Sequence, residues 1–228
     1  MITDKDKQLI KKFLRMVPVF RSFTEDNLDH VIEDVRIRRV EKGEDIVFQT
    51  DEGTDLYILL KGKVKVSLMS EDGQELILTN LNEGAFFGEM SLIDGKSRSA
   101  TVVAAEDAAL GVLQRDKFIN TMKKNPIIAF DLLTAVVDRL RKADDMIETL
   151  AFLDVNERIV KYFADAAKKE GEVDENGFYK IKKITHHELA SRIGSSREAV
   201  SKALKVLTFK EEIKEEKGHF LIPSQRGS

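Results

Sequence analysis

Two short segments of this chain carry residue types that bind phosphate groups, and the first spans residues 86–101. Gly88 and Glu89 are predicted to open a helical turn, and Arg98 and Ser99 follow it closely. Free N–H groups at a helix start receive anions, and a guanidinium matches two phosphate oxygens. Ser99 adds a hydroxyl and an N–H, and Glu89 can accept a hydrogen bond from a sugar hydroxyl. Taken singly, Glu89 is equally a helix-start acid and Arg98 an exposed surface residue.

The second segment predicts a helix-turn-helix. Thr185 and Glu188 have the spacing of a capping box, which opens a helix over residues 188–193. Gly194 supplies the turn, and the capping pattern repeats over residues 195–198 before a second helix at 197–207. Two short helices joined at a glycine are the arrangement in which the second helix enters the DNA major groove.

The predicted second helix presents side chains suited to base edges and to phosphates. Arginine matches the acceptor pair of guanine, and glutamate accepts from the cytosine amino group. Serine hydroxyls and a helix N-terminus bind phosphates. The alternative for the arginine and glutamate is an exposed ion pair, worth about 0–1 kcal/mol. The predicted DNA-binding set comprises Thr185, Ser195, Ser196, Arg197, Glu198, Ser201 and Lys202.

The distribution of charge supports a DNA-binding C-terminal part. The whole chain has a formal net charge of −3, with −5 in the first 153 residues and +2 from Asp154 onward. Residues 176–210 contain eight Lys or Arg and two Glu, which is a local excess of +6. Such an excess is typical of a surface that faces phosphates, although a solvated helical face gives the same pattern.

Three kinds of pattern follow one another along the chain and predict an α+β protein. Short apolar alternations separated by glycine-containing turns occupy residues 37–113 and indicate an antiparallel β-roll, with strands at 46–48, 56–60, 64–68, 76–78 and 109–113. A long helix is predicted over residues 126–153, and the rest reads as a helix at 155–169, a loop at 168–177, two short helices and a hairpin at 213–222. The predicted domains are therefore 1–125, 126–153 and 154–228.

The long helix carries an apolar seam of the coiled-coil type. Its spacings alternate between three and four residues, which is typical of a helix that pairs with a second copy. A single helix packed on its own domain is the alternative. The seam comprises Leu133, Val136, Leu140, Ala143, Ile147 and Leu150.

Residues 86–101 resemble the phosphate-binding cassette of cyclic-nucleotide-binding domains. Together with the run Gly194 to Lys202, they resemble the cyclic-AMP receptor protein/fumarate-nitrate regulator (CRP/FNR) family of bacterial transcription factors. The resemblance implies a cyclic-nucleotide-binding β-roll, a dimerisation helix and a C-terminal winged helix-turn-helix. It implies a cyclic nucleotide as effector, foremost cyclic AMP, whose cyclic phosphate Arg98 and Ser99 hold while Glu89 binds the ribose 2′-hydroxyl. The expected ligand-binding set is Gly88, Glu89, Met90, Ser91, Arg98, Ser99, Ala143 and Asp144.

Two of these residues bear on the choice of base. The family's cyclic-AMP sensors place a Thr-Ser pair on the long helix, where this chain has Ala143 and Asp144. Alanine has no polar atom, and an ionised aspartate only accepts hydrogen bonds. Asp144 therefore suits either the adenine amino group or the two adjacent donors of guanine, unless it is simply a solvated acid. Cyclic GMP, a cyclic dinucleotide and ligand-independent action stay open.

The resemblance also implies partners. A homodimer is expected to bind double-stranded DNA at two-fold related half-sites of the TGTGA type, and RNA polymerase is an expected partner. Family members usually have arginine where Lys202 stands, which bears on the base preference.

Other classes of protein are disfavoured by composition. The chain has no cysteine, and its four histidines lie outside the predicted roll strands, so neither an iron–sulfur sensor nor a cupin-like metal enzyme is expected. A non-DNA-binding regulatory subunit would have no use for the helix-turn-helix. We expect no catalytic residues, no metal, no membrane segment and a cytoplasmic location, because no apolar run reaches the roughly 18 residues of a membrane span and the N-terminus lacks a signal sequence.

Overall fold

The computed structural model describes residues 4–170 and 172–224, and the chain divides into two units. One unit contains Met1–Asp72 and Ile77–Lys142, and the other contains Gly73–Leu76 and Ala143–Ser228. The division therefore falls inside the long helix and not at its start. The predicted domain limits 1–125, 126–153 and 154–228 stay a prediction.

The first unit contains the predicted strands and long helix, together with helices and short strands that the sequence did not predict. Two helices and a short 3₁₀ turn at Pro18–Phe20 precede the strands. The elements are α1 (Asp4–Leu14), α2 (Glu25–Asp34), β1 (Arg36–Val40), β2 (Asp45–Val47), β3 (Leu56–Lys61), β4 (Lys63–Met69), β5 (Glu75–Asn82), β6 (Phe86–Phe87), α3 (Glu89–Asp94), β7 (Thr101–Ala104), β8 (Ala108–Leu113), α4 (Arg115–Lys124) and α5 (Ile127–Phe152).

The strands form two antiparallel four-stranded sheets, in the orders β1-β8-β3-β6 and β2-β7-β4-β5. Apolar side chains from both sheets, among them Leu59, Val64, Phe87 and Leu110, are buried in one cluster. The antiparallel roll is thus confirmed. Its outer face is covered by α1, α2, α4 and the first turns of α5, which bury Phe118 and Ile128 in a second cluster.

The second unit is built on helices α6 (Val155–Glu170), α7 (His186–Ile193) and α8 (Arg197–Phe209). Its third sheet has the order β11-β12-β10-β9. These strands are β9 (Glu172–Val173), β10 (Phe178–Lys182), β11 (Lys214–Glu216) and β12 (His219–Pro223). Phe163, Leu204 and Phe220 are at most 3% exposed and hold helices and sheet together. This is the winged helix-turn-helix that the sequence predicts.

One element of the C-terminal part was predicted wrongly. The stretch 168–177 is not simply a loop, because α6 continues to Glu170 and β9 pairs with β10 through the register Tyr179↔Val173 and Lys180↔Glu172. Lys168 and Lys169 suit the last turn of a helix, where cations face the negative end of its dipole. A two-residue edge strand leaves no periodic signal of its own.

The exposed apolar side chains of the long helix α5 coincide only in part with the predicted seam. Leu133, Leu140 and Ile147 are 61%, 60% and 64% exposed, whereas Val136 and Leu150 are partly buried. Phe130 and Val137 are also exposed. Together with Leu133, Leu140 and Ile147 they form an apolar stripe on α5 that is wider than the spacing alone predicts.

Candidate functional sites

The helix of the phosphate cassette, residues 86–101, is preceded by a glycine that no other residue can replace without strain. Gly88 is the N-cap of α3 and has φ of +86°. A Cβ atom at this position would lie 2.6 Å from Nη1 of Arg98 and 2.7 Å from the backbone oxygen of Asp55. Both the left-handed backbone and the close approach therefore require glycine.

Arg98 is the buried cation of the site. It is 5% exposed, and its Nη1 and Nη2 donate to the backbone oxygens of Gly88, at 3.1 Å, and Asp55, at 2.9 Å. Its own N–H donates to the Asp51 oxygen at 2.9 Å, which fixes the backbone. Among the described residues no carboxylate pairs with the guanidinium. Two of its five N–H groups are engaged, so three are left for an anion.

An aromatic pair supports this guanidinium. The Cζ of Arg98 lies 5.4 Å from the ring centroid of Tyr57, and Tyr57 stacks on Phe87 with centroids 5.0 Å apart. A ring face attracts a cation and restricts the side chain to one orientation. This role of Tyr57 was not predicted, because an aromatic residue in an apolar strand has the sequence pattern of a core residue.

Glu89 has a charged partner that the sequence analysis also missed. Glu89 is 2% exposed, and Arg139 of α5 donates one N–H to its Oε1 and another to the backbone oxygen of Phe86. The Cζ of Arg139 lies 4.9 Å from the Phe86 ring centroid. The available signal was a basic residue within the apolar half of the long helix, four residues before Ala143.

The remaining cassette residues differ in what they offer a ligand. Ser91 is 2% exposed and donates to the Ser97 backbone oxygen at 3.3 Å, so its hydroxyl shapes the loop. Ser99 is exposed, and its hydroxyl lies 3.3 Å from the sulfur of Met90, which is 54% exposed. Of the predicted serines, Ser99 is therefore the accessible one.

The two residues expected to read the base lie on α5. Ala143 and Asp144 are both exposed. Asp144 carries no ion pair among the described residues, so its carboxylate is open to donors. Their part in ligand binding stays a prediction.

In the second unit, both helices of the helix-turn-helix have the side-chain caps that the sequence spacing predicts. Thr185 Oγ1 accepts from the Glu188 N–H at 3.1 Å. Ser196, and not Ser195, is the N-cap of α8, since its Oγ accepts from the Ala199 N–H at 3.1 Å. The N–H of Ser195 instead donates to the Ala190 oxygen at 3.0 Å and closes α7, which leaves the cap to the next residue.

The charged side chains of α8 that are predicted to contact DNA bases are exposed to solvent. Arg197, Glu198 and Lys202 are exposed, and no ion pair joins any of them within the described part of the chain. The alternative of an Arg197–Glu198 ion pair is thus not what the structure shows. Ser195 and Ser201 are partly buried, and Thr185 and Ser196 are exposed.

Arg158 of α6 holds the helix ends of the second unit together and was not predicted. It donates to the backbone oxygens of Leu150 and Leu153 at the end of α5, at 3.2 and 3.0 Å. It also donates to those of Ile193 and Gly194, at 3.2 and 3.0 Å. One cation thereby satisfies free carbonyls at two helix C-termini and joins the end of the long helix to the helix-turn-helix.

The described residues form neither a metal site nor a membrane span. No His, Asp or Glu group there has the arrangement of a metal site. None of the helices resolved in residues 4–170 and 172–224 is both long and apolar enough to cross a bilayer.

Comparisons with known proteins find one matching domain profile and several similar chains. Residues 37–125 match the family profile described as Cyclic nucleotide-binding domain. The chain is 33% identical over 190 residues to the Cyclic AMP receptor protein of Thermus thermophilus, which covers 83% of this chain and 85% of the relative. It is 32% identical over 185 residues to the cAMP-activated global transcriptional regulator CRP of Salmonella typhimurium, covering 81% and 88%. The c-di-GMP-responsive regulator CLP of Xanthomonas campestris superposes with a TM-score of 0.77 at 22% identity, over 89% of this chain and 100% of that one, and shares the fold.

Proposed function

Because this chain belongs to the CRP/FNR family of transcriptional regulators and contains a cyclic nucleotide-binding domain, we propose that a cyclic nucleotide, foremost cyclic AMP, controls its binding to DNA. The observation that carries the proposal is the buried guanidinium of Arg98. A cation that is 5% exposed and lacks a carboxylate partner among the described residues is costly to bury unless a ligand anion pairs with it. A cyclic phosphate would supply the missing negative charge.

The sugar contact follows from Glu89. Its Oε1 is held by Arg139, and a carboxylate has further lone pairs for a ribose hydroxyl. A ligand that donates to Glu89 therefore acts on the contact between the cassette and α5. We propose that this shared carboxylate links occupancy to the position of the long helix, with a coupling free energy of about 1–3 kcal/mol.

The exposed apolar stripe on α5 supports a homodimer. Leu133, Leu140 and Ile147 are spaced seven residues apart and are each more than half exposed. Such a stripe is stabilised when a second helix covers it. Two copies would present two α8 helices to two-fold related half-sites, for which we retain the TGTGA type, with Lys202 altering the preference.

The remaining partners follow from this role. We include RNA polymerase as the machinery that a DNA-bound regulator acts on, and a cytoplasmic location, where that machinery works. We propose no enzymatic activity, since the relatives at 33% and 32% identity are named as a cyclic AMP receptor protein and a transcriptional regulator.

Cyclic GMP is the second candidate effector, and Asp144 favours it. The carboxylate is exposed and unpaired among the described residues, and guanine offers it two adjacent N–H donors. The test is isothermal titration calorimetry with cyclic AMP, cyclic GMP and cyclic di-GMP on the wild type. Arg98→Gln should lose most of the heat, because a charge-assisted contact is worth about 1.5–3 kcal/mol, or about 10- to 150-fold in affinity.

Lys96→Gln is the matched control, since it removes a positive charge from the same loop at a side chain that is 82% exposed. It should bind like the wild type. Equal losses in the two variants would indicate a general charge effect and count against the assigned role of Arg98. If Asp144→Ser weakens cyclic GMP and leaves cyclic AMP unchanged, the second candidate is supported.

A further inference from the structure

A histidine at the start of α7 is linked to the recognition helix by a hydrogen bond. Nδ1 of His186 lies 2.8 Å from Oγ of Ser201, which is on α8 beside Lys202. Ser201 Oγ also lies 2.9 Å from the backbone oxygen of Arg197, one turn earlier on the same helix. The hydroxyl thus has two neighbours. The Arg197 oxygen can always accept its proton, whereas Nδ1 of His186 can accept it only when that nitrogen carries no hydrogen.

The proton positions follow from the chemistry of these groups. A serine hydroxyl has one proton, and a carbonyl oxygen can only accept. The Ser201 hydroxyl therefore donates to Arg197, and its oxygen accepts from Nδ1–H of His186. A neutral imidazole has a single N–H, so Nε2 then carries a lone pair. No described residue is hydrogen-bonded to this Nε2.

Both positively and negatively charged side chains lie on the elements around His186, and several of them already form ion pairs. On its own helix, Glu188 is bound by Arg192 at 2.7 Å and His187 is exposed. Preceding α7, Lys183 pairs with Glu215 of β11.

The helices packed on α7 contribute the remaining charges. Arg158 of α6 is held by backbone oxygens at the far end of α7. From α8, Arg197, Glu198 and Lys202 flank Ser201 and are exposed and unpaired within the described chain. Two cations and one anion of α8 thus flank Ser201, the partner of the histidine, on the helix assigned to DNA.

We propose that His186 is a further DNA contact, which donates from Nε2 to a backbone phosphate only as the imidazolium. The neutral ring would present a lone pair to the phosphate, whereas the protonated ring presents a charged N–H donor while the Nδ1 bond to Ser201 holds its orientation. This inference rests on the proposed DNA binding. Since histidine ordinarily changes charge between about pH 5 and 8, DNA affinity should depend on pH in that interval.

The experiment measures DNA binding by fluorescence anisotropy at pH 6.0 and 8.0, with the activating nucleotide at saturation and at several salt concentrations. The wild type should bind up to about 10-fold more tightly at the lower pH, with a salt slope larger by about 0.9, the value for one more phosphate contact. His186→Gln should remove both differences. His186→Lys, which is charged throughout, should bind with one affinity at both values of pH.

Two neighbouring histidines provide controls, and Ser201 provides a second test. His187→Gln and His219→Gln, at exposed positions, should keep the wild-type response. Ser201→Ala releases Nδ1, so that the neutral ring can place its proton on Nε2. Since Ser201 also belongs to the predicted DNA-binding set, the expected result is a ratio of the affinities at pH 6.0 and 8.0 that falls toward one. Thermal melting at both values of pH establishes that each variant is folded.

The outcomes separate this inference from the function on which it rests. DNA binding that is equal at the two values of pH in the wild type overturns the role of His186 and leaves the proposed regulator intact. The same holds if His186→Gln keeps the full response. Absence of DNA binding at any pH with all three nucleotides overturns both.

Discussion

Arg139 of α5 forms an ion pair with Glu89, the first residue of α3, and the same guanidinium binds the backbone oxygen of Phe86. The long helix is thereby fixed to both ends of the β6–α3 junction. The Glu89 side chain is 3% exposed, whereas that of Arg139 is 37% exposed. A ligand that reaches Glu89 therefore acts on a contact that already includes the helix expected to form the dimer.

Removal of this cation should destabilise the first unit. We expect Arg139→Gln to lower the free energy of unfolding by about 1–3 kcal/mol, because Glu89 is left buried with an unsatisfied charge. Chemical denaturation measures the change. Arg141→Gln, an exposed arginine on the same helix, is the control and should have little effect. Addition of Glu89→Gln to Arg139→Gln should recover part of the loss, and strictly additive effects would argue against a direct pair.

Gly88→Ala should weaken nucleotide binding as well as stability. Its Cβ would stand 2.6 Å from Arg98 Nη1, so the guanidinium must move. Gly95→Ala is a matched control, since Gly95 also has positive φ, +72°, yet has nothing within 4 Å of its Cβ position. Both variants should lose about 1–2 kcal/mol to the left-handed backbone, but only Gly88→Ala should lose nucleotide affinity, by more than about 10-fold. Equal affinities in calorimetry would contradict the close approach.

A structural feature could be predicted from the sequence when the residues that form it are close together in the chain. The cassette and both helices of the DNA reader were predicted because Gly88, Thr185 and Ser196 act on backbone within four residues of themselves. Strand β1 was missed, since its alternation is hidden by Arg36, Arg38 and Arg39 and its pairing with β8 is supplied by a segment about 70 residues away. The strands β6, β7 and β10 were likewise not predicted.

The site was predicted in part for the same reason. Arg98 and Glu89 carry recognisable spacing, whereas Tyr57 and Arg139 join them only through tertiary contacts. Arg158 is a comparable case, because its four acceptors lie on segments that the fold brings together. The capping pattern over residues 195–198 did not distinguish between two adjacent serines, and the structure identifies Ser196 as the N-cap.

The apolar stripe of α5 gives a prediction for assembly. Leu140 is 60% exposed at the middle of the stripe, so Leu140→Asp should place a charge in the dimer interface and shift the protein toward monomer. Analytical ultracentrifugation measures the change. Lys142→Asp, off the stripe, should leave the mass unchanged. A wild type that sediments as a monomer at micromolar concentration would contradict the proposed homodimer.

The recognition helix gives a prediction for base choice. Lys202→Ala should reduce discrimination against one altered base pair of the half-site by about 1–3 kcal/mol, because the lysine is assigned to a base edge. Lys205→Ala, three residues later and also exposed, should instead weaken all sequences alike and lower the salt slope by about 1. Binding to a panel of half-site variants distinguishes the two. Uniform weakening by Lys202→Ala would argue against its contact with a base.

The most direct test is the response of DNA binding to nucleotide in the wild type and in Arg98→Gln, measured by fluorescence anisotropy at fixed salt. Binding of the nucleotide at Arg98 should increase the affinity of the wild type for DNA with a TGTGA-type site by about 5- to 150-fold. Arg98→Gln should show no such response, and Lys96→Gln should respond like the wild type. An unaltered response in Arg98→Gln, or a wild type indifferent to cyclic AMP, cyclic GMP and cyclic di-GMP, would contradict control by a cyclic nucleotide at this site.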